Sequence, residues 1–348
     1  MATHPEKTVT HLLRPRAYPR RLSLVIPMYN EEAVTPFLRR ELEPFLDELP
    51  CEAEVILVND GSSDRTLEKV AAWADEDPRV KVVHLSRNFG HQAAATAGLD
   101  FATGDAIVLM DADLQDPLDV IHEMIERYRD GYDVVYGQRE MREGETKFKR
   151  FTAWAFYRVM RLLMDTNLPV DTGDFRLLSR GFLEGLSCMR ETHRFLRGMV
   201  AWVWHPQTAV RYRRRVRAAG ETKYPFRKMV TFAWTAATSF SSIPLKFSFA
   251  MGVIFGLFGV EEACRAMLAH FLGWYTVPGW ISLMVVTSIL GSALLMSISV
   301  LGEYVGKIYE QVKGRPLYMV ARTFNIEETP SHRMDSSRRS TVYESTRI

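Results

Sequence analysis

The chain has 348 residues, of which 25% are charged and 47% hydrophobic, and its formal net charge is +2. This length suffices for one large domain plus an appendage, because a single core rarely grows past about 250 to 300 residues. The near balance of charge gives no indication of nucleic acid binding, and we expect no nucleic-acid partner. The three cysteines, Cys51, Cys188 and Cys264, are far apart in sequence and argue against a disulfide scaffold or a zinc site.

The first 21 residues are rich in Thr, Pro, His and Arg and lack the apolar core of a signal peptide, which predicts a disordered basic arm. From Leu22 onward, short β-rich runs alternate with stretches that carry apolar residues at helical spacing, and Asp64 and Asp116 are suited to cap two of the helices. This alternation predicts an α/β domain over residues 22–225, with a mostly parallel sheet and helices on both faces. The predicted strands are 22–26, 54–58, 81–85, 106–110 and 133–136, and the predicted helices are 32–49, 64–75, 90–101 and 118–130.

Polar segments that contain Gly, Asn or Asp follow four of the predicted strands. Ligands of parallel α/β sheets bind beyond the carboxyl ends of the strands, so these segments are the candidate site. They are residues 27–31, 59–62, 86–90 and 111–113.

Asp111 and Asp113 directly follow the fourth predicted strand. Two carboxylates at positions i and i+2 of an extended segment point the same way, so both can reach one cation. Hard oxygen ligands select Mg²⁺ or Mn²⁺, and such ions usually also bind substrate phosphates. Aspartate pairs of this kind also cap turns, but the position after a buried strand favours a metal site.

Asp60 lies in the turn after the second predicted strand. Its carboxylate can accept protons from a uracil or guanine base, or it can simply form the turn. Pro27, Tyr29 and Glu31 leave the same two interpretations open, because they can form a wall for a planar base or end a strand and begin a helix.

Three basic residues are candidate phosphate ligands. Arg139 follows the fifth predicted strand, and Arg176 shares a short Gly-containing segment with Asp174. Lys223 lies just upstream of a membrane-proximal helix, where a cation can meet a lipid phosphate at the bilayer surface.

Two apolar stretches predict a pair of transmembrane helices within residues 244–308. Residues 279–301 carry no formal charge and are long enough, at 1.5 Å per residue, to cross a hydrocarbon layer of about 30 Å. The partner stretch, 247–272, is interrupted by Glu261, Glu262 and Arg265. Basic residues flank the pair on both outer sides and are absent from the connecting loop, so the positive-inside rule predicts cytoplasmic termini and a cytoplasmic catalytic domain at the inner or plasma membrane.

Four further segments surround this pair. Residues 147–164 predict a basic amphipathic helix, which lies on the membrane surface or packs on the sheet. Residues 226–243 suit an interfacial helix. The segment 309–326 is predicted to be juxtamembrane, and 327–348 to be a disordered tail.

Jointly, seven motifs are highly specific, and with them the chain resembles a family 2 glycosyltransferase with the GT-A fold. More closely it resembles the polyisoprenyl-phosphate glycosyltransferases, which include bactoprenol glucosyltransferases and dolichyl-phosphate mannose synthases. The motifs are VIPMYNEE at 25–32, VNDGS at 58–62, LSRNFG at 85–90, DADLQDP at 111–117, TGDFRL at 172–177, GETK at 220–223 and GEYVG at 302–306.

The resemblance implies a role for each candidate residue. It implies a metal and donor-diphosphate site at Asp111, Asp113 and Gln115, and a nucleotide-base site at Asp60 and residues 27–31. It implies catalytic roles for Asp174, Asp113 and Arg176. The basic positions that it places near the phosphates are Arg139, Arg176 and Lys223.

The implied reaction is an inverting transfer of one sugar, most closely glucose from UDP-glucose, to a polyisoprenyl phosphate such as undecaprenyl phosphate. A phosphate monoester is largely ionised at neutral pH, so we expect Asp174 to orient the acceptor or its cationic neighbours rather than to remove a proton. The donor can instead be GDP-mannose, a UDP-N-acetylhexosamine or a UDP-aminoarabinose derivative. The resemblance also implies a homo-oligomer, and the state that it suggests is a tetramer.

Two other functions are open to a chain of this kind. A processive polysaccharide synthase shares the donor fold, but the chain has no Gln-x-x-Arg-Trp motif and too few apolar stretches. A non-catalytic membrane scaffold could bind a nucleotide sugar without turnover. The intact carboxylates at positions 60, 111, 113 and 174 argue against a scaffold.

Overall fold

The structure, a computed structural model, describes residues 13–139, 172–203, 205–215, 243–272 and 280–326. They belong to two compact units. In the described residues, the first unit holds eight strands and six helices, and the second holds two long helices.

The first unit alternates strands and helices along the chain. Its elements are β1 (Arg21–Met28), α1 (Thr35–Glu48), β2 (Glu52–Asn59), α2 (Thr66–Glu76), β3 (Val80–Leu85), α3 (His91–Phe101), β4 (Ala106–Leu109), α4 (Asp119–Arg129), β5 (Val134–Arg139), β6 (Thr172–Ser179), α5 (Arg180–Ser187), α6 (Leu196–Trp202), β7 (Gln207–Tyr212) and, after the second unit, β8 (Val320–Phe324).

The eight strands form one sheet in the order β7-β5-β6-β4-β1-β2-β3-β8. Strands β1 to β4 are parallel, so their carboxyl ends lie at one edge of the sheet. Strand β6 runs antiparallel to β4, with Leu109 opposite Arg176, and this register brings the start of β6 to the same edge. Residues that follow β4 and residues that begin β6 are therefore neighbours.

The core lies on both faces of the central strands, which are apolar and buried along most of their length. On one face, Leu24 and Ile26 of β1 belong to the same buried cluster as Leu38 and Leu42 of α1. Each such side chain contributes about 1.5 to 3 kcal/mol relative to full exposure. This packing gives the site a rigid base.

The five predicted strands and four predicted helices are all present, and their ends differ from the predictions by no more than three residues. One cap prediction was wrong. No side chain caps the N-terminus of α4, and the carboxylate of Asp116 instead accepts a hydrogen bond from the hydroxyl of Tyr212. Asp64 does bind the start of α2, because it accepts hydrogen bonds from the backbone N–H and the hydroxyl of Thr66.

Two terminal segments lie against the first unit in ways that the sequence did not predict. Residues 13–20 were assigned to a disordered arm, yet the backbone N–H of Arg16 donates to the carbonyl of Arg129, and its guanidinium pairs with Asp133. Strand β8 lies within the predicted juxtamembrane segment and pairs antiparallel with β3 at the edge of the sheet. Both segments are thus part of the folded unit.

The described part of the second unit contains α7 (Ile243–Phe271) and α8 (Trp280–Val312), which contact each other. In the described part of this unit, one stretch, Ile289–Val312, is long and apolar enough to cross a membrane, and α7 contributes a shorter apolar stretch, Ser248–Glu261. The predicted pair of spans is therefore matched by a single candidate. The predictions for residues 1–12, 147–164 and 327–348, for Lys223, and for all but the last residue of 226–243 lie outside the described residues.

Candidate active site

The loop after β1 is fixed to the start of α2. Asn30, at a positive φ of 53°, donates its backbone N–H to Ser62 and accepts the N–H of Ser63 through its side-chain oxygen. The backbone N–H of Glu31 donates to the hydroxyl of Thr66. Tyr29, in the same loop, is 44% exposed. Pro27 is a buried strand residue opposite Val58, which favours the alternative that it belongs to the end of the strand over the alternative that it forms a wall for a base.

Asp60 connects the loop after β2 with the loop after β3. Its two carboxylate oxygens accept the backbone N–H groups of Phe89, at 2.7 Å, and Gly90, at 2.9 Å. Burial raises the pKa of Asp60, although these hydrogen bonds act in the opposite direction. Gly61 has a φ of +62°, and a Cβ there would lie 2.3 Å from the carbonyl carbon of Arg87. The two loops are therefore in backbone contact.

His91, the first residue of α3, lies between two carboxylates. Its Nε2 is 3.2 Å from Asp174 and 3.6 Å from Asp111. Burial lowers the pKa of His91, but the hydrogen bond to Asp174 and the charge of Asp111 outweigh it, so the pKa is raised. The imidazole thus joins the end of β4 to the start of β6.

Asp174 is the most strongly held carboxylate of the site. It is 6% exposed, and one oxygen accepts the Nε–H of Arg197 at 2.8 Å while the other faces His91. Burial would raise its pKa, but His91, Arg197 and the nearby Arg176 hold the pKa well below its usual range. Asp174 is consequently ionised throughout the neutral range and is a poor proton acceptor.

Arg176 occupies a buried position behind Asp174. It is 4% exposed, and its guanidinium donates to the backbone carbonyls of Gly173 and Asp174. Burial lowers its pKa to about 10. This is not the exposed position expected of a phosphate ligand. Arg176 contributes positive charge behind Asp174 instead.

Asp111 and Asp113 lie in a turn rather than on the extended segment that we predicted. Leu114 has a φ of +54°, a strained conformation for a branched side chain and one that is frequent at functional sites. Asp111 faces His91, whereas Asp113 faces Arg214, whose terminal nitrogen lies 3.7 Å away. The backbone N–H of Gln115 donates to the carboxylate of Asp113, and this hydrogen bond between two residues of the turn stabilises it.

A basic segment after β7 lies beside this turn. The backbone N–H of Arg215 donates to the carbonyl of Gln115, and the side-chain amide of Gln115 donates back to the carbonyl of Arg215. Next to it, Arg214 and Arg139 both approach Asp116, at 3.9 and 3.8 Å. All four predicted polar segments and this unpredicted one therefore meet at one edge of the sheet.

Comparison with known proteins identifies the family. The model of Glycosyl transferase family 2 matches residues 23–186. An uncharacterized glycosyltransferase of Bacillus subtilis, YkcC, is 43% identical over 311 residues, which cover 89% of this chain and 96% of that protein. The chain belongs to glycosyltransferase family 2.

Other relatives of this family 2 glycosyltransferase bear more specific names. The prophage bactoprenol glucosyl transferase homolog of Escherichia coli is 36% identical over 302 residues, covering 87% of this chain and 99% of that protein. A solved mannosyltransferase from Pyrobaculum calidifontis, in complex with GDP-Man and Mn²⁺, is 18% identical with a TM-score of 0.44, covering 82% of this chain and 89% of that one. The family and the mixed, mostly parallel sheet give the GT-A α/β fold that we predicted.

The acidic turn of the glycosyltransferase has the chemistry of a divalent metal site. Within the described ranges, no three His, Cys, Asp or Glu side chains are grouped so that they could hold an ion by themselves. Mg²⁺ commonly uses one or two carboxylates and completes its shell with water and substrate phosphates. Burial raises the pKa of Asp111, and so do its neighbours Asp174, Asp116 and Asp113. A cation would relieve this repulsion, so the residues fit a metal shared with substrate.

Sequence reasoning missed four side chains of the glycosyltransferase site. His91 was accessible to it, because it directly follows the polar segment 86–90. Arg197 belongs to no sequence pattern that indicates a site. It reaches Asp174 from the start of α6, where the backbone N–H of Leu196 donates to the side-chain oxygen of Gln92 in α3. The other two, Tyr212 and Arg214, lie at and after the end of an unpredicted strand.

Proposed function

We propose that this glycosyltransferase transfers a single glucose from UDP-glucose to a polyprenyl phosphate such as undecaprenyl phosphate, with inversion and with the help of Mg²⁺ or Mn²⁺. The observation that carries the proposal is the buried Asp174, paired with Arg197 at 2.8 Å and facing His91 at 3.2 Å, beside the Asp111 turn. The names of the bactoprenol glucosyl transferase relatives support the acceptor and the sugar.

The low pKa of Asp174 matches the needs of a phosphate nucleophile. The second pKa of a phosphate monoester lies near 6, so the attacking oxygen is already ionised at neutral pH and requires no general base. What it requires is neutralisation and orientation. Arg197, one-third exposed and fixed by Asp174, is placed to supply both to an acceptor phosphate.

The departing nucleotide diphosphate carries the other charge of the reaction. Preorganised cations stabilise such charge most effectively in a partly buried site, where water competes less. We assign this work to Arg139 and Arg214. Asp111 and Asp113, with Gln115, would hold the metal, which supplies a Lewis acid for the diphosphate oxygens.

The nucleotide base is assigned to the loops after β1 and β2. Tyr29 is exposed enough to stack on a planar base, and the contacts of Asn30 and Glu31 hold its loop rigid. Each oxygen of Asp60 already accepts a backbone N–H, so we assign Asp60 first to shaping this pocket and only through its remaining lone pairs to the base.

We further propose that α7 and α8 both span the membrane, with the catalytic unit and both termini in the cytoplasm. The apolar stretch in α8 supports one of these spans directly. A water-soluble donor and a lipid acceptor then meet at the membrane surface, where Lys223 is assigned to the lipid phosphate.

The test is transfer by the purified protein, with undecaprenyl phosphate and a panel of nucleotide sugars, followed by mass spectrometry of the lipid product. We expect glucose from UDP-glucose and no product in EDTA. Product with GDP-mannose, a UDP-N-acetylhexosamine or a UDP-aminoarabinose derivative would reassign the sugar. Donor binding without transfer from any donor would favour a scaffold and overturn the proposal.

A further inference from the structure

Asp116 is a buried carboxylate on which three elements converge. It is 1% exposed, and it accepts a hydrogen bond from the hydroxyl of Tyr212, the last residue of β7. The guanidinium of Arg139, at the end of β5, lies 3.8 Å from the same oxygen. That of Arg214, from the segment after β7, lies 3.9 Å away. Asp116 therefore faces two of the cations assigned to substrate phosphate.

Tyr212 connects Asp116 with one of these cations through hydrogen bonds. Its hydroxyl donates to Asp116 and accepts the Nε–H of Arg139 at 3.3 Å. Its ring packs edge-to-face on Phe175, with centroids 5.6 Å apart. A Cβ at Gly137 would lie 2.8 Å from both rings, so the absence of a side chain there admits this arrangement. The orientation of Tyr212, and through it that of Arg139, is thus fixed by packing.

Arg214 is oriented in a different way. Its Nε and the second carboxylate oxygen of Asp116 are both buried and have no hydrogen-bond partner among the described residues. Its terminal nitrogen lies 3.7 Å from Asp113, so charge from two carboxylates holds it without a direct hydrogen bond to either. Arg214 can therefore shift toward a phosphate without breaking such a bond, whereas Arg139 is already held in place.

We propose that Asp116 and Tyr212 are positioning residues that hold Arg139 and Arg214 for the phosphate groups of the substrates. The proposal rests on the proposed function, because it takes those guanidiniums to bind phosphate. Two guanidiniums close together repel each other, and a buried carboxylate between them removes this repulsion. An arginine side chain also loses considerable rotamer freedom when it binds, and a preformed orientation reduces this loss.

The experiment is a double-mutant cycle on transfer from UDP-glucose to undecaprenyl phosphate. We expect Asp116→Asn to lower kcat/KM by about 10- to 150-fold, as for the loss of a hydrogen bond to a charged group. Tyr212→Phe keeps the packing on Phe175 and should cost less. In an Arg139→Gln background, Asp116→Asn should cost clearly less than in the wild type, because one residue through which it acts is already absent.

Binding of UDP alone distinguishes the two phosphate sources. A weaker UDP affinity in Asp116→Asn assigns the held guanidiniums to the donor diphosphate, and an unchanged affinity with a raised KM for undecaprenyl phosphate assigns them to the acceptor. Both outcomes support the positioning role. Losses that multiply independently in the cycle, or no loss in either single variant, would overturn it.

The matched control is Asp130→Asn, which removes an exposed carboxylate paired with Arg127 at the other end of α4. It should leave kcat, KM and UDP affinity unchanged. If Asp116→Asn fails to fold, the Tyr212→Phe and Arg139→Gln pair provides the same cycle. If the wild type binds UDP but transfers no sugar, the proposed function fails, and the UDP-affinity cycle then decides whether Asp116 and Tyr212 position the guanidiniums.

Discussion

Replacing Asp174 by asparagine removes one negative charge from the site and leaves the size of the side chain unchanged. Two guanidiniums and one imidazole remain around it, with Arg197 at 2.8 Å, Arg176 at 3.8 Å and His91 at 3.2 Å. Breaking one partner of a buried ion pair costs about 3 to 5 kcal/mol. Because Arg197 is one-third exposed and can turn toward water, we expect a loss of about 3 kcal/mol in the free energy of unfolding.

The effect of the same change on activity follows from Arg197. Without the carboxylate, the guanidinium is no longer fixed toward the acceptor phosphate, and losing one charge-assisted hydrogen bond costs about 1.5 to 3 kcal/mol. This corresponds to about a 10- to 150-fold loss of kcat/KM. We expect this loss at every pH, because the pKa of Asp174 is already far below the assay range.

The assay is transfer of radiolabelled glucose to undecaprenyl phosphate between about pH 5 and pH 9, a range that includes the second ionisation of the acceptor phosphate. Wild type and Asp174→Asn should give parallel profiles with the same rise near pH 6. A variant whose activity returns toward that of the wild type at high pH would refute the reasoning, since acceptor ionisation would then be replacing a lost base. Nearly full activity at all pH values would refute the orienting role as well.

Glu54 is 3% exposed, and although burial raises its pKa, hydrogen bonds, foremost that from Lys81, lower the pKa overall. Its contribution to stability should therefore be present above about pH 4.5 and be lost as the pH falls through the pKa of Glu54 in the folded protein. Acid denaturation of the wild type and of Glu54→Gln would measure this loss. At neutral pH, Glu54→Gln should lower the free energy of unfolding by about 3 kcal/mol, because it removes one partner of a buried ion pair. A loss smaller than that caused by removing one partner of an exposed ion pair would contradict this prediction. Gly61→Ala should destabilise the site loops, because its Cβ would overlap the backbone at Arg87. We expect a clear loss of UDP affinity with a small change in the thermal midpoint of unfolding. A UDP affinity equal to that of the wild type would contradict the contact between the two loops. EDTA should abolish transfer, and Mn²⁺ electron paramagnetic resonance in the presence of UDP should show a bound ion that Asp111→Asn weakens; an unchanged spectrum would remove Asp111 from the metal site.

The strands that could be predicted from the sequence are those whose own hydrophobic pattern is sufficient to recognise them. In β1 and β2, most residues are apolar and buried, so the pattern of a central parallel strand is visible without tertiary information. Strand β6 interrupts such a pattern with Asp174 and Arg176, which are tolerated only because the two charges compensate each other and are joined by Arg197. The third charge, that of Arg197, lies on α6, beyond the helix that directly follows β6.

Sequence reasoning located the site better than it assigned the roles within it. The carboxyl ends of β1, β2, β3 and β4 were recognised from the segments that follow them, and Asp111 follows β4 as predicted, although in a turn. Arg176 was assigned to phosphate because sequence does not reveal depth, and the structure buries it among backbone carbonyls. Arg197 and Arg214 belong to no recognised motif of the site, and only the folded sheet brings them to the aspartates.

Strand β8 can join the catalytic sheet only after both long helices of the second unit have been synthesised. It completes the outer edge of β3, yet it is synthesised after both long helices of the second unit. At about 5 to 20 residues per second, β3 remains an open edge on the order of ten seconds after β7 has left the ribosome. An open edge is a template for pairing with other chains. In an engineered catalytic fragment that stops after β7, the edge of β3 would stay exposed permanently. Adding residues 314–326 to such a fragment should cover this edge and reduce aggregation.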